Sequence, residues 1–283
     1  MGAFADLSEL VASGTGGTSG GVAGAPQHVP SSKVGRVAGA AATAPIVGRA
    51  ASLWTYDGQP GAGVAPGAVA VPTRATAGAI GQANPVSGET WLQGISVWNN
   101  LTTGTLQLYD RLLHIGGLSA TTTTPQTVGG ALTRHTNGLG NFIMVEIYGI
   151  VGTTATTITA TYTNENGTGS RVTTAEAFGG TNNREVTRAI ILPLAAGDEG
   201  VQAVADVGLV VSTGTAGNFG VTVGHYIGHP LILPVAGIGA ARDFISGQPP
   251  MQEIESDACL AWIWTAGTTT APEFNAMLSI VER

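Results

Sequence analysis

Charge is what this 283-residue chain has least of. Asp, Glu, Lys and Arg make up 10% of it, against roughly 25% in ordinary globular proteins. There is a single lysine, Lys33, and the net charge is −7. Binding to phosphate backbones needs clustered cations, and the densest basic pair, Arg184 and Arg188, has Glu185 between its members. Direct nucleic-acid binding is therefore excluded as the main role. A chain this poor in charge has little self-repulsion to keep a free monomer apart from its neighbours. Such a surface suits lasting contact with other protein.

Cysteine is nearly missing too. Cys259 stands alone, so no intrachain disulfide forms, and the residue reads as a small buried apolar side chain on a strand. No apolar run approaches the 18 to 20 residues of a membrane helix, so no membrane partner is expected. The first residues lack a basic stretch and carry Asp6 and Glu9, which does not fit a secretion signal. A helical stripe of 12 or more residues is absent after residue 20.

Small residues are abundant: 43 of the residues are glycine. Residues 13–24 are Gly/Ser/Thr-rich, a composition that is flexible or extended when alone. Before them, Phe4, Leu7, Leu10 and Val11 share one helical face. Residues 38–51 are small and apolar, broken by Pro45. The sequence thus predicts an extended N-terminal arm over 1–50 and a body over 51–283. Within the body, residues 51–90 are a Pro/Gly-rich loop region, and Pro60, Pro66, Pro72 and Pro85 exclude a central strand or continuous helix from Tyr56 to Gly88.

From Trp91 the pattern becomes one of short strands. Residues 91–98, 104–115, 142–150, 156–163, 171–178, 184–194, 201–211, 218–227, 257–265 and 274–281 each read as a β-run, several with clean alternation. Thr156 to Thr163 alternates threonine with Ile158, Ala160 and Tyr162. Asn166-Gly167 is the strongest turn signal. The reading is all-β: a β-sandwich or jelly-roll-like domain, or a barrel, with an extended N-terminal arm.

The search for chemistry returns little. His225 and His229 have a helical metal spacing, but on a strand they stand about 13 Å apart, so one metal does not bridge them and they read as surface or interface histidines. Asp110-Arg111 beside Tyr109 reads as an ion pair locking a strand end. Glu146, inside an apolar run, must face away or be paired. Glu253, Glu255 and Asp257 lack the spacing of a calcium loop. The glycine-rich segment 14–21 lacks the lysine of a phosphate loop, and no nucleophile elbow occurs. No catalytic residue, cofactor site or metal site is expected, and the chain is not expected to be an enzyme.

Three stretches carry a resemblance: residues 53–63 (LWTYDGQPGAG), 105–118 (TLQLYDRLLHIGGL) and 212–222 (STGTAGNFGVT). With Glu146-Ile-Tyr148 and residues 154–164, they resemble virion proteins encoded beside the capsid genes of tailed bacteriophages, over roughly residues 50–225. The resemblance implies a structural part of the phage particle. The long charged spine helix of the usual shell protein is absent, so a head decoration or cement protein fits best. Such a protein is expected in the virion, assembled in the host cytoplasm, as a homotrimer contacting the major capsid protein and copies of itself. Phe4, Leu7, Leu10, Val11, Trp54 and Tyr56 are the candidate interface residues. The alternatives are a tail, neck or head-fibre component, or a carbohydrate-binding module using Trp54, Trp91, Trp98, Trp262 and Trp264 as sugar platforms.

Overall fold

The computed structural model describes residues 26–37, 45–100, 102–244 and 251–282. Eighteen strands, numbered in chain order, form three antiparallel layers, with no helix among the described residues. The expected all-β, sandwich-like body is therefore observed.

The middle layer closes on itself. It runs β13 (Asn218–Tyr226), β7 (Asn141–Gly149), β11 (Arg188–Leu192), β2 (Ala50–Ser52), β17 (Leu260–Ala266) and β5 (Gly104–Leu118), and β5 pairs back to β13. This is a six-stranded barrel, and β14 (Leu231–Leu233) extends from the same edge of β5 that β13 uses higher up. Gly224 is required where the barrel closes: a Cβ there would stand 2.6 Å from the Phe142 ring and 2.9 Å from that of Tyr109.

Two open sheets clad the barrel. One contains the first and last strands, and we call it the terminal sheet. Its order is β15 (Gly239–Asp243), β4 (Thr90–Asn99), β18 (Phe274–Glu282), β1 (Gln27–Val37) and β3 (Tyr56–Gln59), with β16 (Gln252–Ile254) beside β15 on β4. The other, the threonine sheet, is β10 (Glu176–Gly179), β8 (Ala155–Asn164), β12 (Val201–Leu209) and β6 (Gln126–Thr127), with β9 (Arg171–Val172) beside β8. Alternation along β8 sends Ile158, Ala160 and Tyr162 inward and leaves Thr157, Thr159, Thr161 and Thr163 on the outer face. Asn164 makes the turn after it by accepting the backbone N–H groups of Asn166 and Thr168 through its side-chain oxygen, with Gly167 at φ +76°.

Three apolar clusters follow from these layers. Leu92, Ile95, Leu278 and Ile280 of the terminal sheet meet Leu106, Leu108, Leu260, Trp262 and Trp264 on the barrel's outside. On its other side, Ile158, Val204, Val207 and Phe178 meet Ile143, Val145, Ile147, Phe219 and Val221. The third, smaller cluster, including Tyr109, Phe142, Met144, Ala261 and Ile263, fills the lumen. One barrel wall thus serves two cores.

Two boundaries differ from the sequence reading. Residues 27–37, expected in the arm, form β1 of the body and pair with β18 and β3. Pro30 is tolerated in this inner strand because pairing to β3 begins only at Ser32. The lysine that follows is structural: Lys33 is 2% exposed and donates to the carbonyls of Tyr56 and Pro60 at 3.0 and 3.1 Å, and burial lowers its pKa to about 8. The loop region expected over 51–90 also contracts, since β2 and β3 take up its start; residues 60–89 are largely irregular, as the prolines indicate.

Candidate functional site

Alternation along β5 sends Thr105, Gln107, Tyr109 and Arg111 into the barrel and turns Leu106, Leu108 and Asp110 outward. Asp110 and Arg111 therefore do not pair with each other. Neighbouring residues on a strand point to opposite faces, and each finds a distant partner.

Arg111 lies in the lumen with its side chain 0% exposed, against Glu146 at 1%. Its Nη1 donates to Glu146 Oε1 at 3.0 Å and to Tyr109 Oη at 3.0 Å; its Nη2 donates to Glu146 Oε2 at 2.5 Å and Tyr148 Oη at 2.7 Å; its Nε donates to His114 Nδ1 at 2.9 Å. Five acceptors thus meet the five N–H groups of the guanidinium. Tyr148 and Thr222 donate to Glu146 Oε2 in turn, and the Trp54 ring lies 4.6 Å from the guanidinium carbon. Burial pushes the Glu146 carboxyl up, but Arg111 and hydrogen bonds from Ser52 and Thr222 outweigh it and hold the group below its usual range. Burial, then the Arg111 charge, lowers His114 to about 3. The imidazole is neutral, with Nδ1 as acceptor.

On the outer side of β5, Asp110 accepts Arg134 Nε at 2.8 Å and Nη2 at 3.0 Å, and the backbone N–H of Cys259 at 2.7 Å. Arg134 also donates to the carbonyl of Pro72, so the proline-rich loop is stapled to the barrel. Cys259 is buried, and burial pushes its thiol up to about 12, so it stays protonated and is not a nucleophile.

A second polar group gathers at the end of β13. His135 and His225 stack with centroids 3.8 Å apart and planes 7° apart, His225 Nδ1 is 2.9 Å from Asn141 Oδ1, and His135 stands 3.4 Å from Glu255. Burial lowers both histidines, His225 to about 4 with His135 adding to the shift. The acidic stretch does not converge: Glu255 faces His135, while Asp257 pairs with Arg74 and Asn84. No group of three or more metal-ligating residues occurs among the described residues.

Two open surfaces remain. The outer face of the terminal sheet holds a shallow cavity of about 430 Å³ around Trp98, Met277, Ala241 and Asn275. Trp98 is 56% exposed and its indole lies beside Gly239 on the adjacent strand, 3.5 Å from where a Cβ would stand. The other surface is the barrel mouth, a cavity of about 510 Å³ lined by Ala50, Ile191, Ile263, Tyr226 and a rim of polar side chains.

Of the sequence-predicted interface residues, Phe4, Leu7, Leu10 and Val11 lie outside the described residues. Trp54 and Tyr56 are buried within the chain, at 1% and 2% exposure. Trp54 covers Arg111 and donates to the Val64 carbonyl, so the packing partners of this aromatic pair are intramolecular. As sugar platforms, Trp262 and Trp264 are likewise buried; only Trp98 among the five tryptophans is a large exposed hydrophobic. The sequence reading missed Arg134, His135 and the barrel mouth. Loop residues such as Arg134 carry no periodic signal, and a lumen is a property of closure, which no single strand announces.

No protein-family model matches the chain, and no curated protein matches it. Among solved structures it is similar to the infectious bursal disease virus VP2 subviral particle, at 10% identity over 91% of this chain and 80% of that chain, with a TM-score of 0.20. It is also similar to the T=1 particles derived from infectious bursal virus, at 8% identity over 91% and 77% of the two chains, with a TM-score of 0.21. Likeness at this level of superposition carries no argument about fold or role.

Proposed function

We propose that this chain is a non-enzymatic virion structural protein, a decoration or cement protein on the head shell of a tailed phage. It works in many copies, as a homotrimer that contacts the major capsid protein and other copies of itself, and it reaches the virion by assembly in the host cytoplasm. The observation that carries this reading is the outer face of the terminal sheet. Trp98, Met277, Pro30, Ser96, Ala241 and Asn275 lie on it, with Asp243 at the end of β15 and Glu253 on β16 as its charged margin. Exposed aromatic and sulfur-bearing side chains in a centre poor in charge, with charge at the margin, are what protein interfaces enrich. The closed hydrogen bonding of Arg111 and the protonated Cys259 support a structural over a catalytic reading.

The test is incorporation. The purified chain is mixed with emptied, expanded phage heads lacking it, and head melting is followed by calorimetry. Bound protein should raise the melting temperature, and Trp98→Glu with Met277→Glu should abolish binding while leaving the chain folded. Heads that melt alike with and without the protein would sink the cement role. Immunogold labelling confined to the tail would instead favour a tail, neck or fibre component.

A further inference from the structure

We propose that the barrel mouth is a binding site for a neutral saccharide of one or two rings. Its volume, about 510 Å³, lies within the range of small-molecule pockets, which form readily at barrel mouths. No Asp, Glu, Lys or Arg lines it, so a phosphate, carboxylate or amine would enter without a counter-charge.

The mouth joins two kinds of surface. Ile191 and Ile263 belong to or pack on the lumen cluster. Beside them Tyr226, 36% exposed, is stacked on Phe142 with centroids 4.1 Å apart and planes at 17°. Phe142 backs one face of this ring and fixes it as a platform. Around these apolar groups stand the hydroxyls of Thr105, Thr265 and Tyr226 and the side-chain oxygen of Gln107. None of these atoms has a hydrogen-bond partner among the described residues; those of Thr105, Thr265 and Gln107 are not buried unpaired atoms and so reach solvent, and Tyr226 is itself exposed. The Gln107 amide nitrogen, by contrast, is fixed by the carbonyls of Leu108 and Gly228 at 2.7 and 3.1 Å, which orients the oxygen opposite it. His229, exposed on the rim, adds a further donor or acceptor that has no hydrogen-bond partner among the described residues.

A pyranose has the complementary surface: an apolar C–H face to lie on isoleucine and tyrosine, and hydroxyls around its edge for threonine, glutamine and histidine. A purely aliphatic ligand would strip water from the same polar groups and return no hydrogen bonds, which is unfavourable for each. The tryptophans that the sequence offers as sugar platforms lie elsewhere, so this site is distinct from Trp98 and independent of the assembly role proposed above.

The experiment is a methyl-NMR titration of the isolated chain, labelled at isoleucine, with methyl glucoside, methyl galactoside, N-acetylglucosamine, maltose and lactose, and with glucuronate as the charged control. Saturable shifts of the Ile191 and Ile263 methyls with at least one neutral sugar, and none with glucuronate, are expected. Tyr226→Ala should weaken binding at least tenfold, and the isosteric Thr265→Val should weaken it with the methyl spectrum otherwise unchanged; Trp98→Ala should have no effect. No saturable shift with any of the neutral sugars, or unchanged affinity in both site variants, would overturn the proposal. Failure here leaves incorporation into heads untouched, and the reverse holds equally.

Discussion

Arg111 and Glu146 hold each other ionised with both side chains shut off from the surface, so each depends on the other. Removing one leaves an uncompensated buried charge, a loss of about 3–5 kcal/mol, whereas replacing both with apolar groups of similar size is often near neutral. Glu146→Gln should therefore lower unfolding free energy by about 3–5 kcal/mol in urea titrations, and Arg111→Met combined with Glu146→Leu should lose clearly less. A double variant as damaged as the sum of its parts would show that the pair is not the unit. The histidines give a pH signature at the same scale. His114, His135 and His225 all have folded pKa values below the unfolded value of about 6.5. The unfolded chain binds more protons between the two values, so stability is full above about 6.5 and falls as pH drops toward the folded values of about 4 for His225 and about 3 for His114. Each histidine contributes a slope of about 1.4 kcal/mol per pH unit in its window. This begins above the range where carboxylates titrate, so urea midpoints should already decline between pH 6 and pH 5, and His225→Gln should flatten the decline. A flat profile over that interval would refute the assignment.

At the scale of elements, β1 decides what the N-terminal region contributes. Its Val29 is buried, its Ser31 accepts the Trp262 indole N–H at 3.0 Å, and its Lys33 donates to the carbonyls of Tyr56 and Pro60 at the two ends of β3. A chain starting at residue 26 keeps all of these contacts and should melt like the full protein. A chain starting at residue 46 loses the strand between β18 and β3 and should melt far lower or fail to fold, as circular dichroism would register. Equal melting of the two truncations would mean that β1 adds nothing to the sheet. The sequence misses this strand because Pro30 and a run of small polar residues mask its alternation. The long strands are legible, since each buries one face and so must alternate, as β8 does with its threonines. The short ones, β2, β6, β9, β14 and β16, have two or three residues apiece, too few for a period to register. Glu146 is legible as a residue that must either face away from the core or be paired, because a lone buried carboxylate is unstable. Its partner is not: Arg111 is 35 positions away, and only barrel closure brings the two together.

The whole molecule is built around a shared wall. The barrel's outer surface is core to both flanking sheets, and its lumen is a third core, so damage to one layer is felt through the strands that face the other. The distribution of aromatic residues makes this measurable. Trp54 is in the lumen cluster, Trp262 and Trp264 lie between barrel and terminal sheet, and Trp91 and Trp98 are on β4, whereas the cluster beneath the threonine sheet contains no tryptophan. Indole fluorescence therefore reports on one half of the molecule only. Phe178 is fully buried in the other half, edge-on to Phe219 at 5.1 Å. Phe178→Ala should cost about 3–5 kcal/mol, which for a chain of this length lowers the melting temperature by about 5–8 °C. If the barrel couples its two cladding sheets, the fluorescence transition shifts by the same amount as the far-ultraviolet dichroism, although no tryptophan touches the substitution. Fluorescence that stays at the wild-type temperature while dichroism moves would mean that the threonine sheet melts off an intact barrel, and that the three layers are not one cooperative unit.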